Sequence, residues 1–254
     1  MIDIFTINHL LWIIAATLII VGMHYAFRFR SKKFQYWFLF SLTIIAWLVH
    51  FSRIIFAEDL KTYQLFFTNL CGLSTFLYPF LYLSKSKLAK DYMYYVGGFF
   101  AFLSLAYPYT VEGDPIFAYN SIRFFFAHVL LVMIPLLMAT WGHHKPNFRN
   151  VGWMYLFVLM GAIYNMALGS FFVETGLKDY LENYMGVWGN DDDVYSDLAL
   201  IFAPWATYET VYNGVLTHRP IPFIYMIPIF TLLSFPIWFS MSLPFINFRK
   251  NKNR

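Results

Sequence analysis

The sequence is short of charge and nearly devoid of cysteine. Only 13% of its 254 residues are Asp, Glu, Lys or Arg, about half the share carried by a typical soluble domain. That shortage, with 59% hydrophobic residues and a mean hydropathy of +0.54, excludes an ordinary water-soluble domain and places the chain in the membrane class. One cysteine, Cys71, excludes an intrachain disulfide. There is no GxSxG, HExxH, Walker A or GxGxxG pattern, so the enzyme classes those motifs mark are not indicated. No internal repeat is present, and the only biased tract is the short basic tail.

What is present is a series of apolar runs. Seven, at about 9–27, 35–56, 65–84, 92–109, 121–141, 152–173 and 221–247, approach the ~20 residues needed to cross a ~30 Å hydrocarbon core. The first has no Lys or Arg ahead of it and no small-residue cleavage site before "RFRSKK". It is therefore predicted to be a retained span, not a signal peptide. The last contains Pro222, Pro228, Pro236 and Pro244, each without a backbone donor, which predicts a kinked or broken helix.

Charge sets the expected orientation. Arg28, Arg30, Lys32 and Lys33 lie between the first two runs, and Lys85, Lys87 and Lys90 between the third and fourth. Lys145 and Arg149 follow the fifth run, and Arg249, Lys250, Lys252 and Arg254 form the tail. Among the acidic residues only Asp91 falls on that side. Basic loops stay cytoplasmic. The sequence thus predicts an all-α polytopic membrane protein of seven transmembrane helices, with the N-terminus outside and the C-terminus cytoplasmic. A single domain over 1–254 is expected, with an external loop at about 174–220. Within that loop, "DLALIFAPWATYETVYNGVL" is apolar enough to carry an interfacial helix.

The stretch "FFTNLCGLSTF" (66–76) sets an amide, Asn69, beside the thiol of Cys71. If the third span enters near Leu65, Cys71 lies ~9 Å below that end at the helical rise. The fifth span, entering near Ser121, carries His128 ~10 Å deep. His50 lies six residues below the end of the second span, and Asn165 eight below the end of the sixth. Arg53 and Arg123 sit slightly shallower. Each has an ordinary explanation taken singly: a small core thiol, snorkelling arginines, interhelical amide glue, a structural histidine. Together they put polar groups from four helices in one slab of the outer leaflet. Polar groups inside a membrane are costly and usually face the bundle interior.

A thiol is nucleophilic as thiolate, and an imidazole can take its proton. Cys71 and His128 are the candidate pair. Asn69 or Asn165 would orient the imidazole or hold an oxyanion, and Arg53 and Arg123 would hold a lipid phosphate. That height suits an ester carbonyl below a lipid headgroup better than a soluble substrate. Two rivals stand beside this reading. One is a bis-histidine haem protein using His50 and His128, with His9 in reserve. The other is a lipid or solute permease, or a non-catalytic scaffold, although paired halves typical of transporters are not evident. Weaker signals are "NDDD" at 190–193, whose consecutive acids do not match a calcium loop, and "GHHK" at 142–145, which lacks a third metal ligand.

The segments "NLCGLSTFLYPFLYL" (69–83), "RFFFAHVLLVMIPLL" (123–137), "IYNMALGSFFV" (163–173) and "APWATY" (203–208) resemble the YwaF-like bacterial integral membrane proteins. These are related to eukaryotic transmembrane lipid acyltransferases with a Cys-His pair. The 57-residue separation of Cys71 and His128, and Pro135 seven residues after His128, fit that family. The resemblance implies Cys71 as acyl-accepting nucleophile, His128 as its base, and Pro204 and Trp205 as a Pro-Trp motif lining the substrate entrance. It implies a multi-pass protein of the bacterial cytoplasmic membrane whose partners are membrane lipids, not nucleic acid. No cofactor or metal is expected.

Overall fold

The computed structural model describes residues 1–57, 60–180, 201–212, 215–222 and 224–246. The chain divides into two compact units, Met1–Pro146 and Asn147–Arg254. The acidic run at 190–193 lies outside the described residues. The segment expected to carry an interfacial helix, 197–216, is described at 201–212 and 215–216, and there it holds a 3-10 turn at Pro204–Ala206 and paired strands instead of one continuous helix.

The first unit contains α1 (Ile7–Phe27), α2 (Lys32–Phe51), α3 (Arg53–Phe56), α4 (Leu70–Leu83), α5 (Lys87–Tyr92), α6 (Phe99–Ala106) and α7 (Tyr119–Thr140). Five helical stretches among the described residues of the whole chain are long and apolar enough to cross a membrane: Ile7–Phe27, Lys32–Phe56, Tyr119–Thr140, Phe148–Glu174 and Met226–Phe245. The other two expected spans take different forms. α4 has 14 residues, ~21 Å at the helical rise. It starts at Leu70 rather than Leu65 because the Asn69 side chain accepts a bond from the Gly72 N–H at 2.7 Å and caps the helix there. Residues 62–65 form a separate 3-10 turn. The expected run at 92–109 begins earlier, at Lys87, and passes through a π turn at Met93–Gly98 before α6.

That π turn is pinned by Tyr78 of α4. Its buried hydroxyl is shared between the carbonyls of Met93 (2.9 Å) and Leu131 (3.0 Å). Leu131 lacks its helical partner because Pro135, four residues on, has no N–H. A Cβ at Gly97 would stand 2.3 Å from the Tyr78 oxygen, so only glycine admits the ring. One tyrosine thereby satisfies the carbonyl freed by Pro135 and fixes a π bulge. Tyr78, Met93, Leu130, Leu131 and Ile134 belong to the largest core cluster of the unit.

Two lysines and a glutamine cap helix ends. Lys90 Nζ donates to the carbonyls of Leu81, Tyr82 and Ser84 at the end of α4. Gln35 Nε2 donates to Phe27 and Arg28 at the end of α1, and Lys32 Nζ donates to Trp141 just past α7. Cations suit these termini because the last carbonyls are unpaired and carry partial negative charge. The "GHHK" histidines are part of the same layer. His144 Nε2 lies 2.7 Å from the buried Asp91 carboxylate, and His143 Nε2 donates to Gln35 Oε1 at 3.2 Å. Their separate partners explain both without a metal. Among the described residues no cluster of three or more His, Cys, Asp or Glu could hold one.

The second unit holds α8 (Val151–Glu174), a two-stranded antiparallel hairpin of β1 (Thr207–Tyr212) and β2 (Val215–Pro220), and α9 (Met226–Ser242). The all-α expectation therefore gains a hairpin inside the 174–220 loop, in register Thr207↔Pro220 through Tyr212↔Val215. α9 runs unbroken in its hydrogen-bonded assignment with Pro236 inside it, and ends in a 3-10 turn at Leu243–Phe245 containing Pro244. Trp238 is fully buried against Tyr155, whose hydroxyl accepts from Ser234 at 3.2 Å.

Candidate active site

The cap at Asn69 decides where Cys71 stands. Cys71 is the second residue of α4, in its first turn, instead of six residues inside a longer helix. The first-turn N–H groups of a helix have no intrahelical acceptors. Asn69 Oδ1 takes the N–H of Gly72. The N–H groups of Leu70 and Cys71 make no hydrogen bond among the described residues. Asn69 is thus committed through its oxygen to the cap, and it builds the position of the thiol. The Cys71 side chain is 9% exposed. Its sulfur lies 3.6 Å from Ser104 Oγ of α6.

His128 lies on α7 of the same unit. Its Nδ1 donates to the carbonyl of Phe124 one turn back, at 2.7 Å. A carbonyl only accepts, so the neutral ring carries its hydrogen on Nδ1 and presents a lone pair at Nε2. That is the tautomer a general base needs. Cys71 and His128 do not hydrogen-bond each other among the described residues: the thiol is on Ser104 and the imidazole on Phe124.

His50, Arg53 and Arg123 come together. Arg53 and Arg123 interact electrostatically with each other and both with His50, and Arg123 also reaches His128. His50 Nε2 donates to Leu65 O at 3.2 Å, and its ring packs 4.5 Å from that of Phe67. An Arg53 guanidinium nitrogen donates to Gln64 O. Arg123 Nε is buried with no hydrogen-bond partner. Among the described residues the only ion pair is His144 with Asp91, so these arginines have no carboxylate partner there. His9 has both ring nitrogens engaged, accepting from Phe5 N–H at Nδ1 and donating to Leu105 O from Nε2. Coordination by His9 would break one of these bonds, which weakens its place as a reserve haem ligand.

The remaining predicted residues lie in the second unit. Asn165 is buried in α8 and donates from Nδ2 to Gly161 O at 2.9 Å. Pro204 opens a 3-10 turn, Pro204–Ala206, as its first residue. Trp205 in that turn is 67% exposed, while Ala203 and Ala206 on either side are buried with Tyr225 and Ile229.

Two residues absent from the sequence expectation stand beside the predicted ones. Ser104 touches the thiol. The Tyr119 hydroxyl bonds Ser52 Oγ at 2.7 Å and its ring packs on Phe56. Ser104 is the only serine in "GGFFAFLSLAYPY" (97–109), and that isolation in an apolar run was its one available signal.

Comparison with curated proteins and with solved structures finds no match. Residues 4–219 match the TMEM164 family, a family of membrane proteins. With five long apolar helices, the chain is a multi-pass membrane protein, and it belongs to the TMEM164 family.

Proposed function

We propose that the chain transfers fatty acyl groups between glycerolipids through a thioester on Cys71. The observation that carries this reading is the placement of Cys71 in the first turn of a capped helix. Among the described residues its own N–H and that of Leu70 make no hydrogen bond, and His128 on a helix of the same unit presents its Nε2 lone pair. Adjacent free N–H groups beside a nucleophile are what an oxyanion hole requires. Family membership is consistent with this reading.

In the proposed reaction the Cys71 proton passes to His128 Nε2 and the sulfur attacks the ester carbonyl. The N–H groups of Leu70 and Cys71 stabilise the oxyanion. Collapse breaks the ester C–O bond, and the glycerol oxygen leaves with the proton from His128. A second hydroxyl, from a lysolipid or from water, then gives its proton to His128 and attacks the thioester. The sulfur leaves and regains its proton. Arg53 and Arg123 hold the headgroup phosphate, with His50 at the same place. Trp205, exposed in its turn, serves as an interfacial aromatic.

The proposed topology has seven crossings with the N-terminus outside. Its support is the pair of lysine caps at the C-terminal ends of α4 and α7, which agrees with cytoplasmic basic loops. The test uses purified protein in vesicles of phosphatidylglycerol with a minor fraction of its lyso form. The wild type is expected to form a hydroxylamine-sensitive acyl adduct on Cys71 and to exchange acyl chains. Cys71→Ala and His128→Ala should each abolish both while accumulating normally. Undiminished exchange in Cys71→Ala would overturn the proposal.

A further inference from the structure

No Asp or Glu occurs between Asp3 and Glu58, so the α1–α2 turn carries Arg28, Arg30, Lys32 and Lys33 with no acid near them in sequence. Lys32 is committed to the Trp141 carbonyl. Arg28 is held by two rings, its guanidinium carbon 4.5 Å from the centre of Tyr25 and 4.4 Å from that of Phe29. Arg30 and Lys33 are exposed, and their side chains make no hydrogen bond among the described residues. The only ion pair among those residues is His144 with Asp91, so Arg28, Arg30 and Lys33 have no anionic partner there. Lys33 also lines an open-sided groove of about 550 Å³ along α2, with Ser31, Phe34, Trp37, Phe38 and Ser41. Positions 34, 37, 38 and 41 share one helix face, and Ser31 to Ser41 spans ~15 Å at the helical rise. Trp37 and Phe34 are 53% and 42% exposed. The Ser41 hydroxyl donates to the Phe38 carbonyl at 2.7 Å, so its small side chain leaves the far end of the groove empty and unpolar. The groove begins at the first turn of a helix long and apolar enough to cross a membrane, Lys32–Phe56. It is cationic at the helix end and apolar further in, which is the polarity of an acidic lipid read from headgroup to chain.

We propose that the Ser31–Ser41 face of α2 is a binding site for an anionic phospholipid. The headgroup phosphate meets Lys33, with Arg28 and Arg30 in the turn that leads to the groove, and one acyl chain lies along Phe34, Trp37 and Phe38. A cluster of cations at the end of a membrane-spanning helix attracts acidic lipid, and a tryptophan at that level is amphipathic enough to face both headgroup and chain. The open side of the groove suits an occupant whose remaining surface stays in the bilayer. A soluble anion would use the cations and leave the aromatic wall without a partner. Lys32 and His50 stand at opposite ends of α2, ~27 Å apart at the helical rise. The site is therefore separate from the one built around Cys71, and it stands whether or not Cys71 forms a thioester.

The full-length protein in vesicles of phosphatidylcholine and phosphatidylglycerol tests this, with one lipid or the other brominated on its chains so that it quenches tryptophan on contact. Wild type minus Trp37→Phe isolates the signal of Trp37. The preference for phosphatidylglycerol at Trp37 should be about 10²-fold, from about fivefold for each of three cations near the surface. Lys33→Gln should lower it about fivefold. Lys87→Gln makes the same charge change at an exposed lysine of α5 and should leave it within about twofold, because a screened surface charge acts only over a Debye length. Ser41→Leu fills the groove without altering charge and should lower phosphatidylglycerol quenching at Trp37 at least about fivefold. Inorganic phosphate should displace no more lipid than sodium chloride of equal ionic strength. If Lys87→Gln lowers the preference as much as Lys33→Gln, the attraction is a diffuse field and the site is wrong. Undiminished quenching in Ser41→Leu would show that the chain does not occupy the groove, and specific displacement by phosphate would make the occupant a soluble anion. Either result overturns the proposal.

Discussion

The Tyr78 hydroxyl lies 3.0 Å from the carbonyl of Leu131, the oxygen that Pro135 leaves without a helical donor. Tyr78→Phe should therefore destabilise the first unit by about 1–2 kcal/mol, the range for loss of a buried hydrogen bond inside a membrane bundle. Pro135→Ala restores an N–H for Leu131 O, so adding it to Tyr78→Phe should recover part of the loss. Thermal unfolding in detergent of the two single variants and the double measures this. Simple additivity would mean that the hydroxyl and the proline do not share that carbonyl.

Gly97→Ala tests the same joint from the other side. The added Cβ would stand 2.3 Å from the Tyr78 oxygen and 2.6 Å from its ring, and the ring is buried on all sides. Overpacking of this kind costs about 1–3 kcal/mol or more. Because the ring carbons also clash, Tyr78→Phe should not rescue Gly97→Ala, and folded yield from membranes reads the outcome.

Asn69 has a role separable from chemistry. Asn69→Ala removes the cap on Gly72 and should cost about 1 kcal/mol, while Asn69→Asp and Asn69→Ser, which keep a capping oxygen, should cost little. Thioester yield on Cys71 should follow the same order, because the cap fixes the turn that carries the thiol. If yield in Asn69→Ala matches wild type, the helix start does not govern the site.

The buried pair at the opposite end predicts a coupled loss. His144→Ala leaves the Asp91 carboxylate, 0% exposed, without its 2.7 Å partner. About 3 kcal/mol of destabilisation is expected for breaking a buried pair from one side. Asp91→Asn with His144→Ala should cost less than the sum of the two single changes, and a double-mutant cycle of unfolding free energies measures the difference.

Lys90 supplies a pH dependence. Burial pushes its ammonium down from 10.5 to about 8. Between those values the unfolded chain holds the proton and the folded chain does not, so stability attributable to this residue rises with pH over that window and is flat below it. The neutral amine keeps two N–H groups for the carbonyls that end α4. The unfolding free energy of the wild type minus that of Lys90→Met should slope upward from about pH 8, and a slope of the opposite sign would contradict the burial argument.

Hydropathy locates most of the helices because it is a local sum over neighbours in sequence. The runs at 9–27, 121–141 and 152–173 come within a few residues of α1, α7 and α8. It misplaces the start of α4, because Leu65, Phe66 and Phe67 are apolar, whereas the helix begins where Asn69 can cap Gly72. It reads 92–109 as one span and cannot register the π turn, which exists because a tyrosine from another helix occupies the space above Gly97. The β1–β2 hairpin had a sequence signal, Asn213–Gly214 between alternating residues. The apolar content of the surrounding loop outweighed it.

The sequence by itself determined membrane residence and offered the two groups, Cys71 and His128, on which the proposed chemistry rests, because those follow from composition and from patterns along the chain. Tertiary structure decided that the thiol rests on Ser104, 33 residues away, and that Arg123 acts electrostatically on His50 and Arg53 of another helix pair. Such choices belong to helix packing: a hydrogen bond between distant residues depends on the rotation and register of whole helices, which no local pattern of residues encodes.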